Sequence, residues 1–210
     1  MLAPVIIVGC GGSGVLSTRF IRDEVRKRLR ANGIEKMPKA WQFIGLDLLP
    51  SMTDLHLASP LPADDYVSLS SGLTYMHELE KVLKSKYPVG NPVLGHEELI
   101  GWRPFPQDVP GRIDIGAGML RGVGRAAGTF ALNQSQIKNR FAQALTAVQS
   151  GGAELATVSE RLGYVTPAGG AISPPIVIVI GSCAGGTGAG VMLDVVDVIK
   201  RTEGIPVDPL

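Results

Sequence analysis

The feature that most constrains this chain is a glycine-rich turn that directly follows an unbroken run of apolar residues. Residues 174–181 read PPIVIVIG, and residues 181–190 read GSCAGGTGAG. A continuous β-branched run predicts a strand buried in a parallel sheet, and its prolines stand at the start, where they cost no ladder hydrogen bonds. The apolar periodicity of residues 189–201 then predicts a helix. Five glycines in ten residues therefore connect a buried strand to a helix.

The amino-terminal end of the chain repeats this arrangement. Residues 4–8 predict a buried strand, VGCGGSG follows at residues 8–14, and residues 14–31 predict an amphipathic helix. Arg19 and Asp23 are expected on the solvated face of this helix, paired at helical spacing. A second strand over 41–46 ends at Asp47. Strand, helix and strand in this order predict a right-handed βαβ unit.

Together these patterns predict an α/β fold: a three-layer, Rossmann-like open sheet, mostly parallel, with helices on both faces. Further helices are predicted over 73–86, 135–149 and 154–162, and residues 50–111 form an irregular, proline-rich insertion in which Trp102 is expected to pack locally. The length of 210 residues suits a single domain.

Composition and charge exclude several classes of function. The net charge of +1 predicts neither nucleic-acid binding nor a polybasic membrane anchor. The first apolar run ends after a few residues, far short of the roughly 20 needed to span a bilayer, so no membrane insertion and a cytoplasmic location are expected. Its two cysteines, Cys10 and Cys183, are expected to be reduced. The three histidines lack the spacing of metal ligands, so a metal site built from side chains alone is not expected.

Glycine turns at the carboxyl edge of a parallel sheet indicate an anion site. Glycine lets successive N–H groups point into one concavity, and the start of the following helix adds partial positive charge. Phosphate is the usual occupant. Taken alone, GCGGSG at residues 9–14 also fits a Rossmann-type NAD-binding or adenylating domain, although Asp47 lies 33 residues beyond Gly14 rather than about 20. A Walker-type loop is excluded, because no Gly-Lys-Ser or Gly-Lys-Thr sequence occurs.

The second glycine turn separates these alternatives. AGGTGAG at residues 184–190 matches every position of the tubulin signature, in which Gly-Gly-Thr-Gly lies between small residues. The chain therefore resembles the tubulin/FtsZ superfamily of GTPases, which includes divergent bacterial tubulin-like proteins. Three other segments agree in order: VIIVGCGGSG with the first nucleotide loop, FIGLDLLPSMTD with the segment that closes the second strand, and GAGMLRGVGRAA with the loop that faces the γ-phosphate.

The resemblance implies a role for each turn. The first and second turns would hold the α- and β-phosphates of GTP or GDP through backbone N–H groups, with the Thr187 hydroxyl as a further donor. The third turn would sense the γ-phosphate, Arg125 would brace it, and Asp47 would lie near the phosphates and an accompanying Mg²⁺. The nucleotide-binding residues expected on this basis are Cys10, Gly11, Gly12, Ser13, Asp47, Ala117, Gly118, Met119, Leu120, Arg121, Ala184, Gly185, Gly186, Thr187, Gly188, Ala189 and Gly190.

The chain also departs from the family pattern. Leu49 stands where tubulin has a glutamate, and the chain is expected to stop before the segments that contact guanine and before the acidic loop that completes hydrolysis on a neighbouring subunit. The resemblance thus implies a guanine-nucleotide-binding domain of a protein that self-associates head to tail, with GTPase activity only where that acidic loop is supplied. A scaffold that keeps the turns but has lost turnover is the other interpretation.

Overall fold

Four parallel strands form the sheet in the part of the chain that the structure describes. This computed structural model describes residues 2–52, 56–86, 111–132, 134–165 and 173–202. The strands are β1 (Val5–Cys10), β2 (Trp41–Asp47), β3 (Tyr66–Ser68) and β4 (Ile176–Gly181). The helices are α1 (Gly11–Ala31), α2 (Met76–Lys86), α3 (Arg121–Leu132), α4 (Ser135–Ser150), α5 (Gly152–Arg161) and α6 (Gly186–Lys200), and a 3₁₀ turn covers Ala63–Asp65.

The order of the strands, β3-β2-β1-β4, creates a crevice beside β1. From β1 the chain proceeds to β2 and β3 on one side, and β4 then joins β1 on the other side, with Val5 opposite both Trp41 and Ile176. In open α/β sheets, ligands bind at the carboxyl ends of the strands where the order reverses in this way. The ends of β1 and β4 are also where the two glycine turns begin.

Alternating residues of the strands pack against helices on opposite faces of the sheet. Ile6, Val8 and Ile44 belong to a core shared with α2, α3, α4 and α6. Ile7 and Phe43 point the other way, into a smaller cluster that includes Ile21 of α1. This arrangement confirms the predicted three-layer α/β fold with helices on both faces.

Several elements differ from the sequence-based prediction. α1 begins at Gly11 and α6 at Gly186, each three residues before the predicted start, because the glycine turns themselves form the first helical turn. Residues 121–127, which belong to the GAGMLRGVGRAA segment expected to be a loop, lie in α3. The short strand β3 was missed inside the stretch predicted to be irregular, and Trp102 lies outside the described residues.

β4 is less buried than its apolar sequence predicts. Ile176 and Ile178 are 52% and 43% exposed, whereas Val177 and Val179 pack on the main core. The exposed pair lies on the α1 side of the sheet, where the register places it beside Val5 and Ile7. In the described part of the chain, β4 is the edge strand of the sheet, so the prediction of a strand buried on both faces was wrong there.

The expected solvated position of Arg19 was also wrong. Its side chain is only 3% exposed. The guanidinium donates hydrogen bonds to the carbonyls of Ala58 and Ser59, and the carboxylate of Asp23 accepts one from the Ser59 N–H at 2.6 Å. The connection after β2 therefore folds back over α1, which helical spacing alone does not reveal.

Glycines allow α3 and α6 to cross in direct backbone contact. A Cβ atom on Gly124 of α3 would overlap the carbonyl of Gly186, and one on Gly190 of α6 would lie 2.6 Å from the Arg121 carbonyl oxygen. Real Cβ atoms essentially never come this close, and main-chain atoms cannot rotate away as a side-chain tip does. This crossing places the amino end of α6 beside the third glycine turn. No helix among the described residues is long and apolar enough to cross a membrane.

Substitution of Gly124 by alanine is expected to destabilise the fold. The added methyl group meets backbone atoms of α6, and overpacking of this kind typically costs about 1–3 kcal/mol. Urea unfolding followed by circular dichroism measures the change. Gly111→Ala is the control, because a Cβ at Gly111 has no neighbour within 4 Å. Equal stabilities of the two variants would contradict the close crossing.

Candidate functional site

Three glycine-rich turns meet around one cavity at the carboxyl ends of β1 and β4. The cavity has a volume of about 200 Å³. Its lining residues are Cys10, Gly11, Gly12, Ser13, Asp47, Leu49, Ile115, Gly116, Ala117, Gly118, Ser182, Gly185, Gly186, Thr187 and Gly188. The cavity therefore lies in the crevice that the strand order creates.

The first turn is the start of α1. Gly11 has a φ of +71°, and a Cβ there would lie 2.6 Å from the nitrogen of Gly188. Gly12 is different, because its Cβ would meet only the Asp47 carboxylate, at 3.7 Å. The N–H groups in the first turn of an α-helix have no partner inside the helix. Those of residues 11–13 therefore remain available to a ligand in the cavity.

In the second turn, some N–H groups donate hydrogen bonds to carbonyls of the protein, and others remain available to a ligand in the cavity. Gly186 donates to the Gly118 carbonyl at 2.7 Å, and Ala189 donates to Gly185 at 3.3 Å. Among the described residues, the N–H groups of Thr187 and Gly188 donate to no other carbonyl. These two groups belong to the first turn of α6, where the helix dipole favours negative charge.

The third turn, residues 116–120, closes the cavity on its α3 side. Gly116 and Gly118 have φ angles of +104° and +55°, which glycine adopts without strain. Arg121, the first residue of α3, donates from its guanidinium to the Cys183 carbonyl at 2.8 Å. Arg125 pairs with Asp194 of α6 at 3.3 Å. Both arginines thus tie α3 to the second turn and to α6.

Asp47 is the acid of this cavity, and it is 5% exposed. Its Oδ1 accepts a hydrogen bond from the Leu48 N–H at 2.8 Å, and Thr187, which is 7% exposed, lines the same cavity. Burial raises the pKa of Asp47, while the Leu48 N–H and, to a smaller extent, the Thr187 side chain oppose the rise. Burial, with a smaller contribution from the charge of Asp47, raises the pKa of Cys10 to about 12.

The structure brings eleven of the seventeen expected site residues to the cavity wall. The remaining six do not line it; they are Met119, Leu120, Arg121, Ala184, Ala189 and Gly190. Gly190 packs against α3, and the Leu120 N–H donates to the Ala117 carbonyl at 3.0 Å.

Four lining residues were not expected: Leu49, Ile115, Gly116 and Ser182. Gly116 opens the GAG motif of the third turn, so the motif itself was a signal for it. Ser182 precedes the signature, and its hydroxyl accepts a hydrogen bond from the Ala184 N–H at 3.2 Å.

The described residues do not fit a resident metal centre. No group of three or more histidine, cysteine, aspartate or glutamate side chains that could hold a metal ion occurs among them. Asp47 is the carboxylate on the cavity wall, and its Oδ1 accepts a hydrogen bond from the Leu48 N–H. Mg²⁺ prefers several oxygen ligands in octahedral geometry, and this donor set does not provide them.

A larger cavity, of about 830 Å³, lies between α3, α4 and α6. Its charged residues include Arg125 and Asp194, which pair with each other. None of the glycine turns contributes to its lining. The smaller cavity is therefore the better candidate site, because open N–H groups from the starts of α1 and α6 converge there.

A protein-family model matches the chain and identifies the family that the signature suggests. The model of the family described as tubulin-like matches residues 6–206. The chain belongs to the tubulin-like family. No curated protein and no solved structure matched the chain. In this tubulin-like chain the match includes all three glycine turns and Asp47.

The two thiols of the tubulin-like chain are expected to differ in reactivity. Cys183 is exposed, whereas Cys10 is buried with a pKa raised to about 12. Because the thiolate is the reacting species, Ellman's reagent at pH 8 should modify one thiol in the native chain and both after denaturation. The Cys183→Ser variant should show no rapid reaction when native. Rapid modification of that variant would contradict the burial of Cys10.

Proposed function

We propose that this domain binds GTP and GDP, with the phosphates held in the cavity between the three glycine turns. The observation that carries the proposal is the convergence of open N–H groups from two helix starts on that cavity. The N–H groups of residues 11–13 come from α1, and those of Thr187 and Gly188 come from α6. Helix starts of this kind are anion sites by virtue of their free donors and their dipole.

The attraction for phosphate comes from backbone groups rather than from cations. Arg121 bonds to the Cys183 carbonyl, and Arg125 pairs with Asp194, so each serves the packing of α3. Oriented N–H groups do not need a lysine to bind an anion. We therefore infer a site in which geometry, rather than net charge, selects the ligand.

Membership of the tubulin-like family supports guanine as the base and Mg²⁺ as an ion that accompanies the phosphates. On this proposal, the ion is held by the nucleotide and by water, since the protein donors do not form a metal centre. The family also supports head-to-tail self-association in the cytoplasm, where GTP is available. Hydrolysis then needs an acidic group from a neighbouring subunit, and the isolated chain binds nucleotide without efficient turnover.

A Rossmann-type NAD-binding or adenylating domain is the other nucleotide-binding candidate. The strand order is compatible with it. An NAD site, however, uses the acid at the end of the second strand to bind the ribose hydroxyls. Asp47 is buried, and its Oδ1 already accepts a hydrogen bond from the Leu48 N–H. The burial of this carboxylate and its existing hydrogen bond favour the guanine-nucleotide proposal.

Calorimetric titration of the full chain with GTP, GDP, ATP and NAD tests the proposal. We expect binding of GTP and GDP in one-to-one stoichiometry, since the three turns enclose one cavity. Affinity is expected to be modest, about 10 to 100 μM, which corresponds to roughly 5.5 to 7 kcal/mol, because backbone donors to phosphate supply most of it.

The competing ligands give the contrary outcomes. Clear binding of NAD or ATP with none of GTP or GDP would overturn the proposal in favour of the Rossmann-type site. Absence of binding by all four would leave the scaffold interpretation, in which the turns only shape the fold.

Substitution of Gly12 by alanine is expected to weaken nucleotide binding without loss of stability. The new methyl group lies on the cavity wall and meets only Asp47, at an ordinary contact distance of 3.7 Å. The φ of Gly12 is not in the left-handed region, so alanine is tolerated and reduces the entropy of the unfolded chain. Affinity for GDP should fall about tenfold or more, which corresponds to about 1.4 kcal/mol.

The matched control is Gly111→Ala, which adds the same methyl group in open space away from the cavity. Its affinity should equal that of the unmodified chain. Equal affinities of Gly12→Ala and Gly111→Ala would show that phosphate does not contact the first turn.

A further inference from the structure

One peptide group in the second glycine turn is held at both ends by side chains. The carbonyl of Cys183 accepts a hydrogen bond from the Arg121 guanidinium at 2.8 Å. The N–H of Ala184, which belongs to the same peptide group, donates to the Ser182 hydroxyl at 3.2 Å. Because a trans peptide is planar, its C=O and N–H point in opposite directions. The two side chains therefore fix which way this peptide group faces.

The two ends of the peptide group face different cavities. Ser182 lines the cavity between the three glycine turns, whereas Arg121 does not. Arg121 instead lines a separate cavity of about 220 Å³ between α3 and α6, together with Gly122, Ala189 and Leu193. The carbonyl thus bonds to a group outside the proposed phosphate site, and the N–H bonds to a group on its wall. Reversal of the peptide group would direct an acceptor oxygen towards that wall.

Backbone packing places Arg121 beside the second turn. A Cβ on Gly190 would lie 2.6 Å from the Arg121 carbonyl oxygen. The Gly186 N–H donates to the Gly118 carbonyl, just before α3, at 2.7 Å. The main chain around Arg121 therefore meets the second turn at two points, and its side chain adds a third, at Cys183.

The direction of this peptide group matters for an anion. A carbonyl oxygen carries partial negative charge and an N–H group carries partial positive charge, so only the N–H side attracts phosphate. The bond from Arg121 to the carbonyl is charge-assisted and therefore stronger than a bond between neutral groups. Because Arg121 is exposed, we expect its bond to favour the observed direction by about fivefold, within the range for one net hydrogen bond.

We propose that Arg121 is a positioning residue: it holds the Cys183 carbonyl away from the cavity between the glycine turns and does not itself contact phosphate. This role differs from the contact with the γ-phosphate that the resemblance implies for the third turn. The inference rests on the proposed nucleotide site for its effect on affinity. The direction of the peptide group is a property of the unliganded chain.

Amide hydrogen exchange of the unliganded full chain, measured residue by residue by NMR, is the first test. In Arg121→Ala the Ala184 amide should exchange about fivefold faster, because rotation of the peptide group moves its N–H from Ser182 to solvent. The amide of Gly186, which donates to the Gly118 carbonyl, should keep its rate. An unaltered rate at Ala184 would overturn the inference.

Arg125→Ala is the matched control for this experiment. It removes another arginine of α3, one that pairs with Asp194 of α6 at 3.3 Å, and leaves the bond to Cys183 in place. Exchange at Ala184 should then be as slow as in the unmodified chain. Equal acceleration in the two variants would show that Arg121 only supports the packing of α3, which also overturns the inference. Circular dichroism of both variants confirms that the fold is retained.

The second test compares the affinities for GDP and GTP in low and in high KCl. Arg121→Ala should lose about fivefold for both nucleotides at either salt concentration, because salt screens an exposed charge but does not reorient a peptide group. A loss that is larger for GTP and shrinks in high salt would identify Arg121 as a phosphate ligand and overturn the inference, as would no loss at all. If the unmodified chain binds neither nucleotide, the proposed function fails, and the exchange experiment still decides the role of Arg121 in the turn.

Discussion

The rest of the site depends on backbone contact at the start of α6. A Cβ on Gly188 would lie 2.7 Å from the Cys10 carbonyl oxygen, and one on Gly186 would lie 2.9 Å from atoms of the third turn. α6 therefore touches the first turn on one side and α3 on the other, with no room for a side chain. This double contact brings the turns after β1 and β4 and the turn before α3 close enough to share a cavity of about 200 Å³.

The glycines of these turns consequently have two different roles. Gly11, Gly186 and Gly188 are needed because backbone packs against backbone. Gly12 and Gly185 have no such neighbour within 3.4 Å, and both line the cavity. A glycine-rich motif is thus not uniformly a ligand-binding motif: part of it builds the packing, and the remainder leaves space at the wall. This division explains why Gly190, which packs against the backbone of α3, lies away from the cavity.

The electrostatics of the cavity follow from the same packing. Its positive potential comes from N–H groups at the starts of α1 and α6, while Arg121 bonds to the second turn and Arg125 pairs with Asp194 of α6. The buried carboxylate on the wall, Asp47, accepts a hydrogen bond from the neutral N–H of Leu48. Such a site favours an anion that fits the N–H groups, and its geometry depends on interactions that also hold the fold together.

The sequence by itself determined the class of fold, the order of the elements and the family signature, because strand and helix patterns and glycine turns are local features. Helix bounds over 135–150 and 186–200 differ from the predicted ones by three residues or fewer. Only the tertiary structure decided that Arg19 is buried, that Ile176 and Ile178 are exposed, and that Asp47 and Thr187 line one cavity. Those facts depend on residues far apart in the chain, 140 positions in the last case, and periodicity carries no information about such distances.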